Sequence, residues 1–348
     1  MTPDRPLRAR PMRVMQSFGP PRPTTNPYIH MLDRALAETE GVEHLRFDRR
    51  RALFGRYQAL QLHWPETLFG GTTRTRAVAR RAFALALRAR LTLTRVAVIR
   101  TVHNLEPHAG STPWERRYLA WLERRTDHRI VLNERTPAGG IPTTLVPHGH
   151  YREWFAAVPR RAPEPGVLGF VGLVRPYKGV EDLLDAFTST ARSSPELRLR
   201  VAGSPTTDAI EDELRRRAAR DPRVELDLRH LPEEAFASAV LGCEGLVLPF
   251  RSMHNSGSVL AALSLDRPVL VPRTEVTELL ATEVGPGWVT TFEGPLTGAH
   301  LRGFADAIRE RPPAGSPDLS RRHWDGVGAQ HRDAFAAAIE RRRGGGRS

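Results

Sequence analysis

Apolar residues fall along this chain in short unbroken runs, and between the runs they recur at helical spacing. Val167–Val171 is one such run, carrying Gly169 and closed by Gly172, and it reads as a buried strand of a parallel sheet. Behind it Val180, Leu183, Leu184 and Phe187 form one face of a helix. Glu181 and Asp182 sit in that helix's first turn, where acids complement the dipole. The same alternation predicts strands at 13–17, 58–63, 96–102, 129–132 and 144–146, then at 197–202, 224–228, 246–248 and 268–271. Helices are predicted over 27–36, with Asn26 as N-cap and Pro27 at the first helical position, and over 208–220 and 259–265. Strands alternating with helices imply an α/β protein with parallel sheets, and the second half repeats the architecture of the first.

Length and charge sharpen this picture. The 348 residues suit two domains better than one. A single cysteine, Cys243, excludes an internal disulfide framework and a Cys-based metal site, and fits a reducing compartment. No apolar stretch approaches the ~20 residues of a membrane span. The basic segment 1–13 has no apolar core behind it, so a signal peptide is not expected. The net charge of +13 is uneven: residues 1–160 hold 27 Lys/Arg against 13 Asp/Glu, and residues 161–348 hold 25 against 26. The basic half is therefore expected to meet something anionic: nucleic acid, a membrane surface or a phosphorylated substrate.

Polar residues cluster just after the predicted strands, where open parallel sheets hold their ligands. In the first half these are His63-Trp64-Pro65-Glu66, His103-Asn104 and His148-Gly149-His150-Tyr151. In the second half Arg175 and Lys178 stand between strand and helix, with the turn formers Pro176 and Gly179. Exposed amides and positive charge converging at such a turn make a natural phosphate site. Gly203 and Arg229 follow two further strands, and Asn255-Ser256-Gly257-Ser258 opens a helix with free amides and two hydroxyls.

Val171 to Val180 resembles the donor-phosphate loop of glycosyltransferases with the GT-B fold, above all the large family four-like group, the glycosyl transferases group 1. Asn255-Ser256-Gly257-Ser258 followed by 262–269 is similar to their donor-site helix and next strand. Asn26-Pro27-Tyr28, His63-Trp64-Pro65-Glu66 and Thr101-Val102-His103-Asn104 resemble a bacterial subgroup tied to exopolysaccharide or cell-envelope glycan synthesis. The resemblance covers about residues 12–315. It implies two Rossmann-like domains facing across a cleft: 12–160 for the acceptor and 164–315 for the nucleotide-sugar donor, with a helix over 316–343 packing back across the junction.

The activity it implies is transfer of a sugar from a UDP- or GDP-sugar to a glycan or lipid-linked acceptor, with no cofactor and no bound metal. Arg175, Lys178, Gly203, Arg229, Asn255, Ser256, Gly257 and Ser258 would hold the donor. Asn26, Tyr28, His63, Trp64 and His148 would face the acceptor. His103, Glu66 and Glu106 are the candidate bases, His103 foremost because it ends a central strand and an ordinary imidazole titrates near neutrality. One departure stands out: the two Glu that many family members carry in the donor site fall here at Met253 and Ala261. Glu275 or Glu278, after the 268–271 strand, are the candidate acidic substitutes.

The stretch 72–95 carries seven arginines (74, 76, 80, 81, 88, 90 and 95) and no acid. Val78, Ala82, Leu85 and Ala89 recur at helical spacing, and Phe83 and Leu87 widen the stripe. A helix of this kind can lie on an anionic membrane from the cytoplasmic side, through Arg74, Arg76, Arg80, Arg81, Arg88 and Arg90, or turn its apolar face to the sheet. Nucleic acid is not expected, since interleaved aromatics and recognition motifs are lacking. Another sugar-nucleotide enzyme, an epimerase or phosphorylase, would keep the same phosphate loops.

Overall fold

The computed structural model describes residues 10–68, 73–105 and 112–344, the Arg74 side chain excepted. The chain divides into two compact units, one of Met1–His148 with His323–Ser348 and the other of Gly149–Arg322. The first contains β1 (Met12–Gln16), α1 (Pro27–Ala37), β2 (Val42–Leu45), α2 (Arg49–Phe54), β3 (Ala59–His63), α3 (Arg74–Leu93), β4 (Ala97–Val102), α4 (Pro113–Arg125), β5 (His128–Val131) and β6 (Thr143–Leu145). Its strands pair in parallel in the order β2-β1-β3-β4-β5-β6. The strand order reverses between β1 and β3, so their carboxyl ends open a crevice suited to a ligand.

The second unit contains β7 (Val167–Val171), α5 (Val180–Thr188), β8 (Arg198–Ala202), α6 (Asp208–Ala218), β9 (Val224–Asp227) and α7 (Glu233–Leu241). It continues with β10 (Gly245–Val247), α8 (Gly257–Ser264), β11 (Val269–Pro272), α9 (Glu275–Val284), β12 (Val289–Phe292) and α10 (Gly298–Glu310). These strands are again parallel, in the order β12-β11-β10-β7-β8-β9, and reverse between β7 and β10. The last helix, α11 (Val327–Gly344), belongs to the first unit, where it packs on α1, β4 and β5 through Ala334, Phe335 and Ala338.

The buried strands match their predicted positions within a residue or two. The edge strands β2 and β12 were not predicted, because each exposes part of both faces and lacks an unbroken apolar run. The division between units lies at 148/149 rather than near 160. Tyr151 and Phe155 are buried in the second unit, and the Tyr151 amide donates to Ser264 Oγ at 2.8 Å. The final helix starts at Val327, after a 3-10 turn at Ser320–Arg322 and buried Trp324.

Helix α3 departs from the expected single stripe. Ala84, Leu87 and Leu91 are buried in the core of the first unit, with Phe83 packed beside them. Val78, Ala82, Leu85 and Ala89 face outward, Val78 at 67% and Leu85 at 50% exposure. Val78 and Leu87 are two and a half turns apart, on opposite faces, so the predicted stripe joined two faces. Several of its arginines are engaged rather than merely solvated: Arg81 lies over Trp114, Arg88 over Trp121 and Arg90 over Tyr57.

Candidate active site

At the carboxyl edge of the first sheet, Gln16 ends β1, His63 ends β3 and His103 follows β4. All three are buried. His63 Nε2–H donates to Gln16 Oε1 at 3.3 Å, since a carbonyl oxygen only accepts. That leaves the lone pair of His63 on Nδ1, which accepts from His103 Nε2–H at 3.1 Å. The lone pair of His103 is thereby placed on Nδ1. Trp64 stacks on His103 with centroids 3.8 Å apart, and its φ of +45° is a strained conformation for so bulky a residue. Tyr28 meets the edge of His103 at 5.3 Å and lies 4.8 Å from His148 and 5.6 Å from Trp324. Asn26 is committed locally, its Oδ1 accepting the Tyr28 amide at 3.0 Å as the cap of α1.

A cavity of about 410 Å3 opens beside this cluster, and Trp64, Glu66, His103, Asn104 and Arg116 are among its walls. Glu66, carried on a 3-10 turn at Pro65–Leu68, is half-buried there. Glu106 lies outside the described residues. The expectation that His103 titrates near neutrality does not hold: burial, and then the neighbouring His63 and His148, push it well below the usual imidazole range. Burial and the repulsion of His331 bring His63 down to about 3, and burial brings His331 to about 4. These imidazoles are neutral at physiological pH.

In the second unit the candidate donor residues lie in the loops after β7 and β8 and at the start of α8. Gly203 follows β8 with φ +138°, and a Cβ there would overlap the carbonyl oxygen of Gly172, so the two loops touch only because residue 203 is glycine. Lys178 Nζ and Ser258 Oγ converge on Gly172, 3.6 and 3.8 Å from where its Cβ would stand. Lys178 is buried, unlike an ordinary loop cation, with its ammonium 4.9 Å from the centroid of Phe250. Burial, then the charge of Arg175, lower its pKa to about 8. Gly179, at φ +65°, caps the short turn and presses on Pro249, turning the chain into α5.

Of the two serines, Ser256 is the cap of α8, accepting the Val259 amide at 3.3 Å, while Ser258 faces Gly172. Gly257 begins that helix and Asn255 precedes its cap. Arg229 stands apart, exposed beyond edge strand β9 and paired with Asp227 at 2.8 Å. Ala261, at one of the family's carboxylate positions, is buried within α8 and has no acid to offer. Of the two expected acidic substitutes, both in the first turn of α9, Glu278 is paired with Arg273 at 3.1 Å. Sequence reasoning missed Gln16 and His331. Gln16 ends an apolar strand, a signal that was available, whereas His331 reaches the cluster only through the docking of α11.

Two parallel six-stranded sheets flanked by helices, with polar and cationic clusters at their switch points, define a GT-B fold. Residues 165–310 match the family described as Glycosyl transferases group 1. The chain is 40% identical over 326 residues, covering 94% of itself and 92% of its relative, to the GDP-mannose:glycolipid 4-beta-D-mannosyltransferase of Xanthomonas campestris pv. campestris. Among solved structures it resembles Anabaena Alr3699/HepE in complex with UDP and glucose. The TM-score is 0.62 at 13% identity, covering 93% of this chain and 99% of that one. It also resembles sucrose-phosphate synthase from Thermosynechococcus elongatus, with a TM-score of 0.57 at 14% identity, covering 97% and 98%. The chain belongs to the glycosyl transferases group 1. It is an enzyme, a glycosyltransferase whose donor is a nucleotide-diphosphate sugar.

Proposed function

We propose that this enzyme transfers mannose from GDP-mannose to a glycolipid, inverting the anomeric centre and needing no metal ion. The observation that carries the reading is 40% identity across 94% of the chain to a GDP-mannose:glycolipid 4-beta-D-mannosyltransferase. GDP-mannose holds its sugar in the alpha configuration, so a beta product requires one displacement with inversion. That outcome suits a donor site with Met253 and Ala261 where many family members have Glu, and a first unit whose His103 imidazole is neutral at physiological pH. His103 Nδ1, with Glu66 across the same cavity, takes the proton of the acceptor hydroxyl as its oxygen attacks C1. The C1–O bond to the diphosphate breaks, and GDP leaves with the electron pair. The developing charge meets Lys178, Arg175, Ser258 Oγ and the amides at the start of α8.

Among the described residues no helix is long and apolar enough to cross a membrane. A glycolipid acceptor therefore calls for docking from the side, on the cytoplasmic face where nucleotide sugars are made. The outward stripe of α3, Val78, Ala82, Leu85 and Ala89 with Arg81 and Arg88 at its rim, supports this reading. The test is GDP release from GDP-mannose, which is expected only when the glycolipid is added and to persist undiminished in EDTA. Hydrolysis without acceptor, equal use of UDP-glucose, or a mannoside retaining the alpha configuration would each overturn a stated part of the reading.

A further inference from the structure

The amino-terminal edge of the first sheet, opposite the histidine cluster, carries a larger cavity of about 810 Å3. Arg13, Arg56, Arg90, Arg95 and Arg343 line it together with Tyr57, and among the described residues no acid does. Arg13 is balanced by Glu43 at 2.8 Å. Arg90 is held over the Tyr57 ring at 4.7 Å and donates to the carbonyls of Leu53 and Gly55, so its position is set while its charge stays unneutralised. Arg56, Arg95 and Arg343 are exposed and make no ion pair among the described residues.

Two apolar side chains adjoin this pocket along the chain. Phe54, just before the lining residue Gly55, is 81% exposed, and Leu93, just before the lining residue Thr94, is 84% exposed. Single exposed apolar residues are ordinary on a protein surface. These two stand beside a cluster of unpaired cations, and Leu93 continues the outward stripe of α3. A soluble anion would account for the guanidinium groups and leave Phe54 and Leu93 unexplained. A phospholipid accounts for both, with phosphate against the arginines and acyl chains against the apolar pair.

We propose that this pocket is a binding site for the headgroup phosphate of an anionic phospholipid, with Phe54 and Leu93 entering the acyl region beside it. The site is separate from the acceptor cavity and rests on the reading that the enzyme docks on a membrane. It anchors the first unit from the sheet edge away from the chemistry, leaving the carboxyl edge to the acceptor.

The experiment is flotation of the full chain with phosphatidylcholine vesicles carrying a rising fraction of phosphatidylglycerol, at low and high salt. The wild type is expected to bind in proportion to phosphatidylglycerol and to be released by salt. The triple variant Arg56→Ala/Arg95→Ala/Arg343→Ala is expected to lose roughly 100-fold in vesicle affinity, from three cations near the surface. It should keep its melting temperature and its rate on detergent-dispersed glycolipid. The corresponding triple Lys variant should bind, and Phe54→Ser/Leu93→Ser should weaken binding in a manner that salt does not offset. A triple Ala variant that binds like the wild type overturns the pocket while leaving membrane docking intact. A wild type that ignores the vesicles overturns both. Stabilisation by inorganic pyrophosphate through the same arginines, without vesicle binding, identifies a soluble anion instead and also overturns the proposal.

Discussion

Lys178 concentrates the donor chemistry in one buried amine. Its pKa of about 8 is lower than that of a free lysine because burial penalises the ammonium and Arg175 repels it. A diphosphate binds the protonated form, so GDP affinity is expected to be full below about pH 8 and to fall roughly tenfold per pH unit above it. Calorimetric titrations on either side of that value check this, and an unchanged Kd would remove Lys178 from the diphosphate. Because the charged form is disfavoured in the fold, Lys178→Met should cut turnover at least tenfold without lowering the melting temperature of the ligand-free protein. Any stabilisation should appear as roughly 2–4 °C per kcal/mol relieved. His103 behaves differently. It is already neutral, so kcat should not drop as the pH falls through 6.5, where an ordinary histidine base would be lost. Gln16→Leu removes the acceptor that orients His63 and, through it, His103. We expect kcat to fall by about tenfold or more with KM little changed, as for a base whose proton-accepting atom is no longer fixed. A change in KM alone would mean that Gln16 only shapes the cavity.

Within single elements, α3 shows how one helix serves two environments. Leu87→Ala opens a cavity in a packed core and should cost about 2–5 kcal/mol in denaturant unfolding, whereas Leu85→Ala should stay within about 0.5 kcal/mol. Similar losses at both positions would show that the outer stripe is covered. The β8 to α6 loop makes the complementary case. Gly203→Ala drives a methyl group into Gly172 and must separate the two loops, so GDP should no longer raise the melting temperature even where the fold survives. Such details were partly legible beforehand. Asn26 before Pro27 announced the cap of α1, and the Arg175–Gly179 turn announced the donor loop. The burial of Lys178 was not legible, because the rings that cover it come from β7 and from Phe250, remote in sequence.

Taken as a whole, the molecule carries several buried neutral histidines in its first unit, and this couples stability to pH. His63 at about 3, His331 at about 4 and His103 well below normal all take up protons more readily when unfolded. Their stabilising contribution is complete above the unfolded value near 6.5 and is lost as pH falls toward the folded values, by up to about 1.4 kcal/mol per pH unit for each group. The first unit should therefore unfold on mild acidification, followed by tryptophan fluorescence, and a melting temperature flat from pH 7 to pH 5 would contradict the burial of these rings. Sequence by itself determined the alternation of strands and helices, the doubling of the fold, the basic first half and the polar clusters after strand ends. Those features are local: they follow from apolar runs, turn residues and charge counts that neighbours in the chain already express. Tertiary structure decided which face of α3 meets the core, that the chain divides after His148, and that Trp324 and, on α11, His331 join a cluster built from residues of the first half. It also decided protonation, because an imidazole or an ammonium loses its charge only when distant segments close over it and exclude water.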